Sequence, residues 1–220
     1  MELEITVPSS LDDITLRQYK EYERVLDTNK DDVNAEHFLN LKMLEIFCKV
    51  PLEVVNKMKA IHYEEIVSKL YDVLTAKPEL VQTFRMGDST FGFIPNLEDM
   101  TFGEYIDLDT YIGDMKNIEK AMSVLYRPIT MKIKDKYIID EYKGDLFHEA
   151  MLDMPMSAVV SSIVFFYNLG IDLSSVMMNS LQPHQQEQLR QKGLEISGVG
   201  TNHYTHSLKE ILDDLKIYPS

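Results

Sequence analysis

Cysteine is nearly absent from this sequence, since Cys48 is the only one among 220 residues. One cysteine cannot build an intrachain disulfide framework, and it excludes a zinc site formed mainly by thiolates. The six histidines offer no substitute: no pair has the His-Glu-x-x-His spacing, and His203 with His206 has no acidic third ligand placed nearby. We therefore expect no metal site, and we expect Cys48 to fill the core beside Phe47.

Basic residues are also scarce. The 22 lysines and arginines are outnumbered by 36 aspartates and glutamates, which gives a net charge of −14. A general nucleic-acid binder needs clustered basic groups on phosphates, and an anionic membrane surface attracts the same groups. The charge balance argues against both partners and leaves a basic protein partner open. The N-terminal sequence lacks the basic and apolar regions of a signal peptide, so we expect none.

Long hydrophobic runs and catalytic motifs are missing as well. The longest apolar run, 154–169, is interrupted by Pro155 and is shorter than the ~20 residues that span a bilayer, so a buried core helix is expected. The nine glycines form neither a phosphate-binding loop nor a Gly-x-Ser-x-Gly elbow. His148 and Glu149 are interpreted as part of a solvated loop, because nothing in the sequence fixes an acid–base geometry. We expect no catalytic and no cofactor-binding residues.

What the sequence does contain is a repeated segment. Residues 11–19 read Leu-Asp-Asp-Ile-Thr-Leu-Arg-Gln-Tyr, and residues 97–105 read Leu-Glu-Asp-Met-Thr-Phe-Gly-Glu-Tyr. Each is typical of a helix start, with a threonine N-cap, a capping-box partner three residues later and a tyrosine for a hydrophobic staple. The residues in these roles are Thr15, Gln18 and Tyr19 in the first copy and Thr101, Glu104 and Tyr105 in the second.

Weaker parallels extend the repeat. Residues 42–50 resemble 120–128, and residues 65–70 resemble 158–163. Capping boxes are common enough to match by chance, but the proline upstream of each copy lengthens the match and favours an internal duplication.

The predicted fold is α+β, predominantly α-helical, with small β-hairpins. Two similar helix-rich halves, 1–88 and 89–181, pack as one unit, and 182–220 form a flexible connector and a C-terminal helical arm. The pattern predicts a strand at 2–7, hairpins at 81–94 and 129–142, and helices at 15–27, 34–49, 52–59, 62–76, 101–113, 115–127, 145–151 and 155–169, the last ending at Gly170.

The C-terminal arm has one apolar stripe. Leu208, Ile211, Leu212 and Leu215 follow helical spacing behind a capping box at Ser207. This amphipathic helix either docks in a groove of a partner protein or folds back onto its own chain, and the sequence leaves both outcomes open.

Arg127 is the one charged residue within an apolar stretch, so it is expected to have a carboxylate partner. We predict that it pairs with Glu104 or Asp107 and locks the helices of the second half. The surrounding acidic residues lack the spacing and central glycine of a calcium-binding EF-hand and are interpreted as a solvated helix face. These residues are Glu98, Asp99, Glu104, Asp107, Asp109 and Asp114.

Several strings resemble a group of poorly characterised tailed-bacteriophage proteins encoded among virion and tail-assembly genes. They are Gly-Phe-Ile-Pro-Asn-Leu at 92–97, Gly-Glu-Tyr-Ile-Asp-Leu at 103–108, Ala-Met-Ser-Val-Leu-Tyr-Arg-Pro-Ile at 121–129 and Phe-Phe-Tyr-Asn-Leu-Gly at 165–170. The resemblance covers roughly residues 1–180 and carries no active site.

The resemblance implies a non-enzymatic role in building the particle, as a tail-assembly chaperone or a minor structural component. The implied partners are other phage structural or tail proteins, or further copies of the chain, and the implied location is the host cytoplasm during assembly or the virion. Two alternatives stay open: a module that binds and regulates a host protein, and a small enzyme, which would need a pocket of converging polar groups.

Overall fold

Capped starts and proline breaks divide the chain into short helices joined to a small sheet. The computed structural model describes residues 5–32, 34–134, 136–180 and 201–217. The helices are α1 (Leu16–Asn29), α2 (Glu36–Cys48), α3 (Leu52–Val55), α4 (Ala60–Leu74), α5 (Phe102–Tyr111), α6 (Ile118–Leu125), α7 (His148–Met151), α8 (Met156–Ser180) and α9 (Thr201–Asp214), and the strands are β1 (Thr83–Met86), β2 (Ser89–Phe93), β3 (Tyr126–Ile133) and β4 (Lys136–Ile139). The predicted α+β, predominantly helical class is confirmed.

Both predicted hairpins form, and they join into one antiparallel sheet of order β1-β2-β3-β4. The joining pair is β2 with β3, where Phe93 lies opposite Tyr126 and Gly92 lies opposite Arg127. This pairing explains why α6 ends at Leu125 and not at 127 as predicted. Tyr126 and Arg127 leave the helix because their backbone bonds to β2.

The sheet packs on α8 through aromatic side chains. The rings of Phe93 and Phe165 lie 5.7 Å apart, and those of Phe93 and Tyr126 lie 5.3 Å apart. The buried Tyr126 hydroxyl donates to the carbonyl of Val81 at 2.7 Å and accepts from Ser162 Oγ at 3.1 Å. Burial raises the pKa of Tyr126 to about 12, so this hydroxyl stays protonated and ties the sheet to the central helix.

Helix α8 is longer than the sequence analysis predicted. It continues through Gly170 to Ser180, so the expected C-cap at Gly170 is wrong. A glycine does not end a helix whose next turns are stabilised by packing, and here α9 packs along α8. The segment Met156–Val176 is long and apolar enough to cross a membrane, with a mean hydropathy of 1.5, but 61% of its most apolar window is buried inside the protein. Such burial is typical of a core helix.

The first predicted strand is also wrong where the structure describes it. Residues 5–7 have no regular structure, whereas 2–4 lie outside the described residues. The chain pairs slightly later, through an isolated bridge between Thr15 and Pro155. Two contacts flank this bridge: Leu16 N donates to the Met154 carbonyl at 3.0 Å, and Met156 N donates to the Ile14 carbonyl at 2.7 Å.

The two proposed halves share one hydrophobic core. Buried side chains from both belong to a single cluster, among them Leu44 from the first half and Ile163 from the second. The boundary at 88/89 lies in the turn between β1 and β2, so the sheet spans it. The duplication therefore stays a proposal.

The absence of a side chain at Gly92 makes room for the ring of Tyr137 on β4. A Cβ at this position would lie 2.5 Å from Cε2 of Tyr137, whose hydroxyl donates to the Phe93 carbonyl at 2.8 Å and lies 3.2 Å from the Gln82 carbonyl. Because the ring is held, Gly92→Ala is expected to lower the free energy of unfolding by about 1–3 kcal/mol in urea titrations. Gly103→Ala is the matched control, because a Cβ at this position meets nothing within 4 Å. It is expected to raise the free energy of unfolding by about 0.5–1 kcal/mol. Equal effects of the two substitutions would contradict this packing.

Candidate interaction surface

The first capped helix start forms as predicted and adds a contact that the sequence analysis did not foresee. Thr15 Oγ1 accepts from Gln18 N at 3.2 Å, and Thr15 N donates to Gln18 Oε1 at 3.1 Å. The Gln18 amide also donates to the carbonyl of Ile46 at 2.8 Å, near the end of α2. The capping residue thus holds the start of one helix against the end of the next.

The second start has the same cap with an ionic version of that contact. Thr101 Oγ1 accepts from Glu104 N at 3.3 Å, and Thr101 N donates to Glu104 Oε2 at 2.7 Å. Glu104 Oε1 lies 2.7 Å from Nη1 of Arg127, just beyond the end of α6, and the two side chains are only 5% and 8% exposed. Of the two predicted partners of Arg127, Glu104 is the one that pairs. Asp107 accepts instead from the Tyr142 hydroxyl at 2.8 Å.

The N-cap of α5 gives a test of this geometry. Thr101→Ala removes the hydroxyl that accepts from Glu104 N and is expected to lower the free energy of unfolding by about 0.5–2 kcal/mol. Thr101→Ser keeps an acceptor at the same place and serves as the matched control. If the alanine and serine variants denature at the same urea concentration, the cap does not stabilise the helix.

Beyond the caps, equivalent positions of the two copies differ sharply in exposure. In α1, Leu16, Tyr19 and Lys20 are 0%, 8% and 9% exposed. At the positions of the repeat that correspond to them, Phe102, Tyr105 and Ile106 are 78%, 57% and 45% exposed. The repeat predicts the same staple role for Tyr19 and Tyr105, but Tyr19 lies in the core and Tyr105 lies on the surface.

The cover over α1 comes from the same chain. Lys20 Nζ bonds to Glu119 Oε2 at 2.6 Å and to the Lys116 carbonyl at 2.7 Å, which brings the start of α6 against α1. The segment around Met154 bonds to the backbone of Leu16. The matching face of α5 has no such cover in the described part of the chain and is left to solvent.

This open face is a regular helical stripe, which we call the α5 face. Phe102, Tyr105, Ile106 and Asp109 follow at i, i+3, i+4 and i+7, so their side chains share one side of the helix. Exposed carboxylates of Glu98 and Asp99 lie in the turn before it. Large apolar side chains clustered on a surface and bordered by charge are typical of contact sites between proteins.

A second exposed apolar group lies on the β3–β4 hairpin, and we call it the hairpin face. Met131 lies opposite Ile138 in the strand register and Ile133 is two residues further along, so all three point to one side. Each is more than half exposed. Lys136, opposite Ile133, shares this side, exposed Lys134 lies in the adjoining turn, and Lys132 points to the other side of the hairpin.

A cavity of about 580 Å³ lies between the start of α5 and β4. Asp99 and Thr101 line it from one side, Ile138 and Asp140 from the other, and Arg127 lines it as well. A hydrogen bond from Lys143 is the main cause that lowers the pKa of Asp140, so this carboxylate is ionised at neutral pH. Arg127 Nε has no hydrogen-bond partner among the described residues, but it is fully buried.

A second cavity, of about 590 Å³, lies where α1, α4 and α9 meet. Tyr19, Tyr22, Glu23, Tyr71 and Asp214 are among its lining residues. Burial raises the pKa of Glu23, and the nearby Asp27 raises it further. Within the described ranges, no three His, Cys, Asp or Glu side chains are placed to hold a metal ion.

Cys48 and Glu149 both have structural contacts. Cys48 is buried, and burial raises the pKa of its thiol to about 11, so the nucleophilic thiolate is scarce at neutral pH. Glu149 lies at the surface, where Arg17 Nη1 approaches one of its carboxylate oxygens to 3.2 Å.

The C-terminal stripe lies in the core of its own chain. Leu208, Ile211, Leu212 and Leu215 are all buried, on the helix that packs against α8. Of the two outcomes left open by the sequence, the structure therefore shows the fold-back, and these side chains are not exposed for a partner. The predicted capping box at Ser207 is wrong, because α9 already begins at Thr201. The predicted connector, 182–200, lies outside the described residues.

No family model, no curated protein and no solved structure matches this chain.

Proposed function

We propose that this chain is a non-enzymatic assembly protein of a tailed bacteriophage, acting as a tail or neck assembly factor or a minor virion component. Its partners are other phage structural or tail proteins, including further copies of itself, and it acts in the host cytoplasm during assembly or stays in the particle. The phage context rests on the resemblance of its sequence strings. The mode of action rests on the open α5 face.

The observation that carries the proposal is the difference between the two copies of the repeat. One copy has its helix face covered by the chain itself, whereas the other leaves Phe102 and Tyr105 in solvent. Exposing large aromatic side chains is unfavourable in water, and aromatic residues are enriched in protein interfaces. A partner that covers the α5 face removes this exposed apolar surface.

The test is mass spectrometry of purified particles and of infected-cell lysate, for a phage that encodes this sequence. We expect the chain either in particles at a fixed stoichiometry or in lysate complexes with a phage structural protein. The double variant Phe102→Ser/Tyr105→Ser is expected to lose these contacts, while Ile61→Ser, at another exposed apolar residue, keeps them. Recovery with a host protein alone would contradict the proposal and favour the regulatory alternative.

A further inference from the structure

We propose that the hairpin face of one copy docks on the α5 face of a second copy, so that the chain associates with itself. This inference rests on the proposed function and names one of its partners, a second copy of the chain.

The two faces have matching apolar cores. The hairpin face presents Ile133, Ile138 and Met131, and the unbranched thioether side chain of Met131 adapts to a neighbouring surface. The α5 face presents two aromatic rings, Phe102 and Tyr105, at helical spacing. Aromatic and methionine side chains are the groups that protein interfaces concentrate at their centre.

The charges around these cores are opposite in sign. Glu98, Asp99 and Asp109 border the α5 face, and all three are exposed. Exposed Lys134 and Lys136 border the hairpin face, and none of the ion pairs between described residues includes them. Asp135, between Lys134 and Lys136 in the sequence, lies outside the described residues. In a chain of net charge −14, a hairpin this rich in lysine is a local exception, and an acidic apolar face is the surface that it complements.

One copy carries both faces, and a single cavity is lined by Asp99, in the turn before α5, and by Ile138 of the hairpin face. A two-fold arrangement then places each hairpin on the α5 face of the other copy, giving two equivalent contacts in one closed dimer. Repeating the contact doubles the apolar surface removed from water without requiring a second kind of interface.

Sedimentation velocity over a range of protein concentration tests the inference. We expect the wild-type chain to associate, and we expect the association to weaken as salt is raised, because the bordering charges are exposed and screened. A wild-type chain that stays monomeric at about 200 μM would overturn the inference, since weak protein association reaches roughly this range.

Charge reversal then locates the contact. The variant Lys134→Glu/Lys136→Glu makes both faces acidic, and Glu98→Lys/Asp109→Lys makes both basic. Each variant alone is expected to raise the dimer dissociation constant by about tenfold. Mixing the two variants in equal amounts restores opposite charges at both contacts, so the mixture is expected to associate again. The control Asp72→Lys/Glu79→Lys, at exposed sites elsewhere, matches the charge change of the second variant and is expected to leave the association unchanged.

Association that survives both reversals, or a mixture that stays dissociated, would overturn the inference, and circular dichroism checks that each variant is folded. The outcome is separable from the proposed function. A monomeric chain that still enters complexes with a phage structural protein removes the self-contact alone, whereas a dimer recovered only with a host protein removes the phage role alone.

Discussion

Replacing Arg127 by methionine is expected to lower the free energy of unfolding by about 3–5 kcal/mol. The Glu104 carboxylate accepts from the Arg127 guanidinium at 2.7 Å, and both side chains are more than nine-tenths buried. Removing the arginine leaves a buried negative charge without its counter-ion, which is far more costly than losing an exposed ion pair. Urea denaturation followed by circular dichroism measures the change.

Two further variants separate the ion pair from general effects of the substitution. Arg85→Met removes an exposed arginine and is expected to change stability by less than about 0.5 kcal/mol. The double variant Glu104→Gln/Arg127→Met removes both charges and gives α5 the capping residue that α1 has at Gln18. It is expected to be more stable than Arg127→Met alone. An unchanged denaturation midpoint for Arg127→Met would mean that the pair does not lock the second half.

Truncating Leu208 to alanine is expected to lower the free energy of unfolding by about 2–5 kcal/mol. Leu208 is fully buried on α9, in the same hydrophobic cluster as the centre of α8. Removing its side chain leaves a cavity between the two helices, which the surrounding side chains fill only in part. Lys209→Ala, at the exposed neighbouring position, is the matched control and is expected to have little effect.

This comparison also decides how the C-terminal helix docks. A helix that reaches a partner leaves Leu208 exposed in the isolated chain, and its truncation then costs almost nothing. Equal stabilities of the Leu208→Ala and Lys209→Ala variants would therefore contradict the fold-back of α9 onto α8.

Local features of this fold are readable in the sequence because their causes are local. A threonine followed three residues later by a glutamine or glutamate makes a capping box from neighbouring atoms alone, and both boxes form. An arginine inside an apolar run is expected to be buried with a counter-ion, and this requirement pointed to Glu104 or Asp107, of which Glu104 forms the pair. The two hairpins follow in the same way from short-range turn and alternation signals.

The remaining features depend on contacts between distant parts of the chain. The register of β2 against β3 joins residues that are separated by α5 and α6, and no local signal encodes it. The extension of α8 beyond Gly170 depends on packing with α9. The same limit hid the candidate site, because Tyr19 and Tyr105 occupy equivalent places in the repeat and differ only in what the rest of the fold places over them.

Cross-linking from position 105 tests most directly whether the α5 face binds a partner. A photoreactive phenylalanine analogue replaces Tyr105 in cells producing the phage, with position 71 on α4, also an exposed tyrosine, as the control. After irradiation, mass spectrometry identifies the attached protein. We expect cross-links from position 105, and not from 71, to a phage structural protein or to the hairpin face of a second copy. No cross-link from 105, or the same products from both positions, would contradict this expectation.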